Sequence, residues 1–176
     1  RCIAPGTDVD EQKRPERALH VIADAGVVLS SPLDYDQTVR KVAALAVPSI
    51  ADLCLVDLVQ EGSTRRAAVF HRDPERAGLC RKLQHFSGFE PAHPAARALA
   101  LGKPLLVRDV GRAELARWLA EPAHVEALLA FGAPSSMMVA PLLSRGHSLG
   151  VLTLMGTAES GARFTEDDLV VAEELG

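Results

Sequence analysis

Cysteine and histidine are the side chains best suited to covalent or metal chemistry, and their spacing limits what that chemistry can be. Cys2, Cys54 and Cys80 are an odd set without C-x-x-C spacing, and Cys54 lies inside an apolar run. A disulfide framework is therefore not expected, and a reducing compartment, the cytoplasm, is. The histidines, His20, His71, His85, His93, His124 and His147, are scattered, each read as a surface or hydrogen-bonded residue. Cys80 and His85 come nearest to a ligand pair, but five residues along a helix is about 140° of rotation, so they point apart and no metal site is expected. Gly102-Lys103-Pro104 lacks the remaining residues of a phosphate-binding loop, and no G-x-S-x-G elbow for acyl transfer is present. Glu166, Asp167 and Asp168 group three carboxylates, which the start of a helix explains without catalysis.

A positive candidate comes from strand alternation. Asp57, His71 and Thr153 are each the polar member of an otherwise apolar alternating set. They are assigned to a ligand pocket on one face of a sheet, with Trp118 and Met137 or Met138 as apolar walls. The alternative reading makes Asp57 a solvated strand end, His71 a cap on the Asp73-Pro74 turn and Thr153 an ordinary strand residue. Arg65, Arg66, Arg72, Arg76, Arg81 and Lys82 form a local basic segment, read as a solvated face.

These residues have to be positioned by a chain of 176 residues with 24% charged and 48% apolar side chains and a net charge of -4. One Trp, one Tyr and an acidic balance offer no stacking platform for nucleic acid. A chain this long removes roughly 70% of its unfolded surface from water, enough for a single core. Residues 1–14 read as a linker and residues 15–176 as one domain. The apolar stretch from Ala18 to Leu29 contains His20 and Asp24 and falls well short of the roughly 20 residues of a membrane span. Neither membrane insertion nor export is expected. The chain opens on Arg1, and its last helical pattern is still running at Gly176, so a piece of a longer protein with a truncated C-terminal helix is expected.

Pattern and punctuation predict the elements in order. A first helix from Pro15 is apolar on two faces, one carrying Leu19, Ile22, Gly26 and Leu29. Ser31, Pro32 and Asp34 end it, Asp36 caps a second helix striped by Val39, Val42, Ala43 and Ala46, and Pro48 closes that one. Ile50 to Gln60 and Thr64 to His71 form a hairpin whose second strand groups Ala67, Val69 and His71. Short helical pieces follow from Pro74, Pro94, Arg112 and Ala123, with a brief strand from Pro104 to Val107. A second hairpin comprises Ser135 to Leu143 and Ser148 to Met155. Thr165 and Asp168 form a capping box at a final helix whose buried stripe is Leu169, Ala172 and Leu175. This order argues for an α+β domain with a mainly antiparallel sheet.

Five phrases in this order carry a family resemblance: Ala51 to Leu58, Ala68 to Pro74, Ser136 to Leu142, Gly150 to Leu154 and Phe164 to Leu169. The chain resembles a GAF domain of the type found in bacterial sensor histidine kinases. The resemblance implies a profilin-like, six-stranded antiparallel sheet, terminal helices on one face and a pocket roofed by short helices on the other. It also implies a cytoplasmic input module of a two-component protein. Such a module binds a small molecule, dimerises through its terminal helices and passes a signal to a C-terminal kinase or other output domain. Cyclic-nucleotide binders of the family carry an Asn-Lys pair and later Phe and Asp-Glu; here Phe164 and Asp168 remain, Leu169 replaces the Glu, and the chain has no Asn. Bilin binders follow their Cys with His, whereas Arg81 follows Cys80. Haem binders place a His just before the strand starting here at Ser135, where the nearest is His124. Cyclic nucleotide and covalent bilin are not expected, and haem has no support in these residues. Two alternatives stand beside the sensory reading: a reductase of free methionine sulfoxide with Cys80 as nucleophile and Cys54 as resolving partner, and a degenerate domain that only dimerises.

Overall fold

A computed structural model describes residues 32–144 and 146–175. The predicted first helix with Leu19, Ile22, Gly26 and Leu29, the linker 1–14 and Cys2 lie outside the described residues. Helix α1 (Pro32–Ile50) lays Val39, Ala43 and Val47 against the sheet at four-residue steps. It begins before the predicted cap at Asp36 and runs past Pro48. Proline at Pro32 loses no hydrogen bond in a first turn, and Pro48 withdraws a single N–H close to the helix end.

Strands β1 (Leu53–Gln60) and β2 (Ser63–His71) form the first hairpin, and β4 (Pro134–Ser144) and β5 (His147–Thr157) the second. The short β3 (Leu105–Val107) adds an edge. The sheet is antiparallel throughout, in the order β2-β1-β5-β4-β3. It has five strands, not six, among the described residues. Beyond β3, the sequence that a further strand would need is taken by α4 (Arg112–Trp118) and α5 (Pro122–Leu129).

The two sheet faces carry separate cores. On one face α1 and the last helix, α6 (Glu166–Leu175), cover Cys54, Val56, Met138, Ala140, Leu152 and Leu154, with Leu169 of α6 packed against this cluster. The backbone of α6 includes Ala172 and Leu175, whose side chains lie outside what is described. The predicted box starts this helix: the Thr165 N–H donates to Asp168 at 2.7 Å. On the opposite face α2 (Ala77–Leu83), α3 (Pro94–Leu101), α4 and α5 form a mantle over Leu53, Leu55, Met137, Val139, Val151 and Met155. Short helices suit that face, and prolines at Pro94 and Pro122 start two of them afresh.

Two details fix the frame. Buried Asp52 joins the ends of β1, β2 and β5: it accepts from the Thr157 N–H at 2.7 Å, the Thr157 hydroxyl at 2.9 Å, the Ser160 hydroxyl and Arg72 Nη1 at 2.9 Å. Burial alone would raise its pKa, but the donors Ser160, Arg72 and Thr157 outweigh burial and hold the carboxyl below its usual range. Asp52→Asn puts an amide donor among donors and is expected to cost about 2 kcal/mol. Urea unfolding checks this. Gly150 brings β5 against β1 where a side chain would not fit, since a Cβ there would lie 2.4 Å from the Asp57 carbonyl oxygen. Gly150→Ala is expected to cost roughly 1–3 kcal/mol. It should also speed amide exchange at Asp57 and Leu58 ahead of the rest of the sheet.

Candidate functional site

The site under the mantle begins with a register change. Val56 faces Ala68, but the next residue, Asp57, faces Arg66, so Ala67 is an extra residue in β2. The bulge overturns two expectations. Ala67 packs with the terminal-helix core instead of standing beside Val69 and His71, and Arg66 turns from a solvated basic segment into the mantle face. There it meets Asp57 in a two-pronged pair, Nε to Oδ1 at 3.0 Å and Nη2 to Oδ2 at 3.2 Å. Its remaining nitrogen, Nη1, lies 3.4 Å from the Leu83 carbonyl, to which it donates, and 3.3 Å from His124 Nε2.

This pair sits in a buried polar cluster walled by rings. Exposure is 1% for Asp57, 5% for Arg66, 3% for His124, 5% for His93 and 1% for Thr153. Phe86 stacks on His124 with centroids 4.9 Å apart. Phe89 stacks on His93 at 5.0 Å, and Trp118 stands edge-on to His93 at 5.8 Å. Thr153 lies diagonally from Asp57 across the β1–β5 pairing, since Leu55 faces Thr153 and Asp57 faces Val151.

The protonation of both imidazoles follows from their partners. A guanidinium has no lone pair, so His124 Nε2 accepts from Arg66 and the neutral ring carries its proton on Nδ1. His93 Nδ1 accepts from the Ala95 N–H at 2.9 Å, which caps α3 and leaves the proton on Nε2. Burial, then the charge of Arg66, pushes His124 down to about 4. Burial, then Arg66 and His124, pushes His93 down to about 3.

Of the residues singled out from sequence, Asp57, His71, Thr153, Trp118 and Met137 lie on the mantle face. Met138 does not: it follows Met137 in a strand and packs into the terminal-helix core. Asp57 is not a solvated strand end. His71 stands apart at the end of β2, where its Nδ1 accepts from the Asp73 N–H at 3.0 Å and its ring lies 5.2 Å from Phe131. Sequence reasoning passed over Arg66, His93 and His124. A usable signal existed for the first: an aspartate in mid-strand among apolar neighbours demands a buried cation, and the hairpin register offers only Arg65 and Arg66.

The cysteines divide between the faces. Cys54 is buried in the terminal-helix core and Cys80 is half-buried beside the mantle core, so the sheet separates them. Burial raises the pKa of both thiols. Among the described residues no group of three or more His, Cys, Asp or Glu converges on a metal position, and no helix is long and apolar enough to cross a membrane.

A groove of about 460 Å³ opens outside the cluster between α2 and α5, lined by Leu79, Lys82, His85, Phe86, Glu126 and Ala127 among others. A smaller one of about 210 Å³ lies between α4 and α5. A family model for the GAF domain matches residues 32–176. The chain belongs to the GAF domain family.

Solved structures give the same fold at low identity. The free methionine-R-sulfoxide reductase of Neisseria meningitidis, in complex with its substrate, is 19% identical with a TM-score of 0.62, covering 99% of this chain and 90% of that one. The GAF domain of a Coxiella burnetii phosphoenolpyruvate-protein phosphotransferase is 14% identical with a TM-score of 0.62, covering 92% and 91%. The A. aeolicus nlh2 GAF domain in an inactive state is 13% identical with a TM-score of 0.60, covering 93% and 95%. At these identities the likeness establishes the fold alone. Among curated proteins none matches the chain.

Proposed function

We propose that this GAF domain is the small-molecule input module of a larger signalling protein, of the two-component sensor histidine kinase kind, working in the cytoplasm as a homodimer. The reading rests on one observation: a paired charge, two neutral imidazoles and a threonine lie buried together beneath a mantle of short helices. A domain that only spaced its neighbours would gain more from an apolar core of the same volume. Asp57, Thr153, Trp118 and Met137 belong to the proposed pocket with Arg66, His93 and His124, and His71 stands at its margin. A ligand there would shift the equilibrium between two packings of mantle and sheet, which α1 and α6 on the far face would pass to an output domain.

The surface supports helix pairing. Among the exposed large apolar residues, Leu45 lies on α1 and Val170 on α6. Sedimentation velocity is expected to show a dimer, and Leu45→Glu with Val170→Glu a folded monomer. Native mass spectrometry of the purified chain is expected to retain one small molecule per protomer, lost in Thr153→Leu. A bare chain with the wild-type dimer intact would favour the degenerate alternative.

The reductase alternative draws on the Neisseria meningitidis neighbour. Cys54 and Cys80 lie on opposite sheet faces, so Cys54 cannot resolve an oxidised Cys80 through a disulfide between them. Reduction of free methionine-R-sulfoxide that disappears in Cys80→Ser would restore that reading.

A further inference from the structure

The cluster beneath the mantle holds more hydrogen-bond donors than acceptors. His93 Nε2–H and His124 Nδ1–H follow from the tautomers fixed above, and the Thr153 hydroxyl makes a third. None finds an acceptor among the described residues, although each of these side chains is more than nine-tenths buried. Both carboxylate oxygens of Asp57 are held by Arg66. Buried donors without partners cost free energy, so the site favours a guest that brings acceptors.

The groove between α2 and α5 is the way in. Phe86 lines it and stacks on His124 behind, so turning this one ring would open the groove onto the cluster. The mouth carries Lys82 and His85, while its one carboxylate, Glu126, is paired with Arg112 through two contacts. Its volume of about 460 Å³ suits a small organic molecule.

Resting on the ligand-input reading, we propose that the site takes a small aromatic carboxylate, admitted past Phe86, its ring lying among Phe86, Phe89 and Trp118 and its carboxylate bound by His93, His124 and Thr153. A carboxylate fits better than a neutral carbonyl for two reasons: Lys82 stands at the mouth, and two carboxylate oxygens offer enough lone pairs for three donors. The groups that face these rings are Arg66 and Asp57 from the sheet, each imidazole on the other, and at the groove Lys82, His85, Glu126 and Arg112. The lone pair of His124 Nε2 already accepts from Arg66 and that of His93 Nδ1 from the Ala95 N–H, so both rings meet the guest as neutral donors. Binding therefore takes up no proton.

Benzoate and benzamide have the same shape and differ in charge, which makes them the probes. In calorimetry near pH 7 with two buffers of different ionisation enthalpy, benzoate is expected to bind with the same heat in both, without proton uptake. Benzamide, whose amide N–H groups would meet donors, is expected to bind at least about tenfold more weakly. Thr153→Val should weaken benzoate several-fold and benzamide little, and Phe86→Trp should slow association. Equal binding of the two probes, benzoate binding with proton uptake, or no binding of either overturns the proposal. The ligand-input reading fails separately, on a chain that retains no small molecule in native mass spectrometry.

Discussion

Arg66→Met is expected to destabilise the domain by roughly 3–5 kcal/mol, because it leaves the Asp57 carboxylate buried without a cation. Asp57 is buried, and among the described residues no other cation is within hydrogen-bonding distance of it. The methionine fills much of the arginine's volume, so the loss reports charge more than packing. Most of it is expected to return in the double variant Asp57→Leu with Arg66→Met, since a buried pair exchanged for apolar groups is often neutral. The remainder reflects the Leu83 carbonyl and His124 Nε2, which lose their donor. Urea unfolding at constant slope measures both variants. A single variant costing under about 1 kcal/mol, or a double variant no better than the single, would show that the pair is not sealed from solvent.

The second large effect is acid sensitivity from the two buried imidazoles. In the folded chain His93 is held down to about 3 and His124 to about 4, against the ordinary 6.5 of the unfolded chain. Between those limits the unfolded chain binds more protons, so stability rises with pH through this window and is lost as pH falls below about 6.5. Each ring accounts for about 1.4 kcal/mol per pH unit there, or roughly 3 kcal/mol by pH 4. His93→Asn keeps a side chain able to cap α3 and removes one titration. His124→Gln removes the other. The double variant is expected to start from a lower stability at neutral pH but to lose far less between pH 6.5 and pH 4. A wild-type stability flat across that interval would mean that neither ring is buried neutral.

Much of the frame was legible in the sequence because it rests on local patterns. Both hairpins follow from two-residue alternation around polar turns, and the box at Thr165 and Asp168 forms as its spacing predicts. The faces of Asp57 and Thr153 follow from the same alternation, which leaves Met137 and Met138 as alternatives. Where alternation breaks, so did the reading. The extra residue at Ala67 carries no local signature, since an alanine suits a strand and a bulge alike, yet it decides whether Arg66 faces water or Asp57. His93 and His124 were passed over for a different reason. Each belongs to a short helix whose partners are distant in sequence, so their meeting with Arg66 depends on how the mantle docks. The early start of α1 shows a related limit, since proline reads as a boundary although a first turn accepts it.

A buried, donor-rich polar cluster lies between sheet and mantle. Nitrogen-15 NMR of the histidine rings tests it most directly. His93 is expected in the Nε2–H form and His124 in the less common Nδ1–H form, both neutral down to about pH 5. Either ring titrating near its ordinary value, or His124 carrying its proton on Nε2, would contradict it.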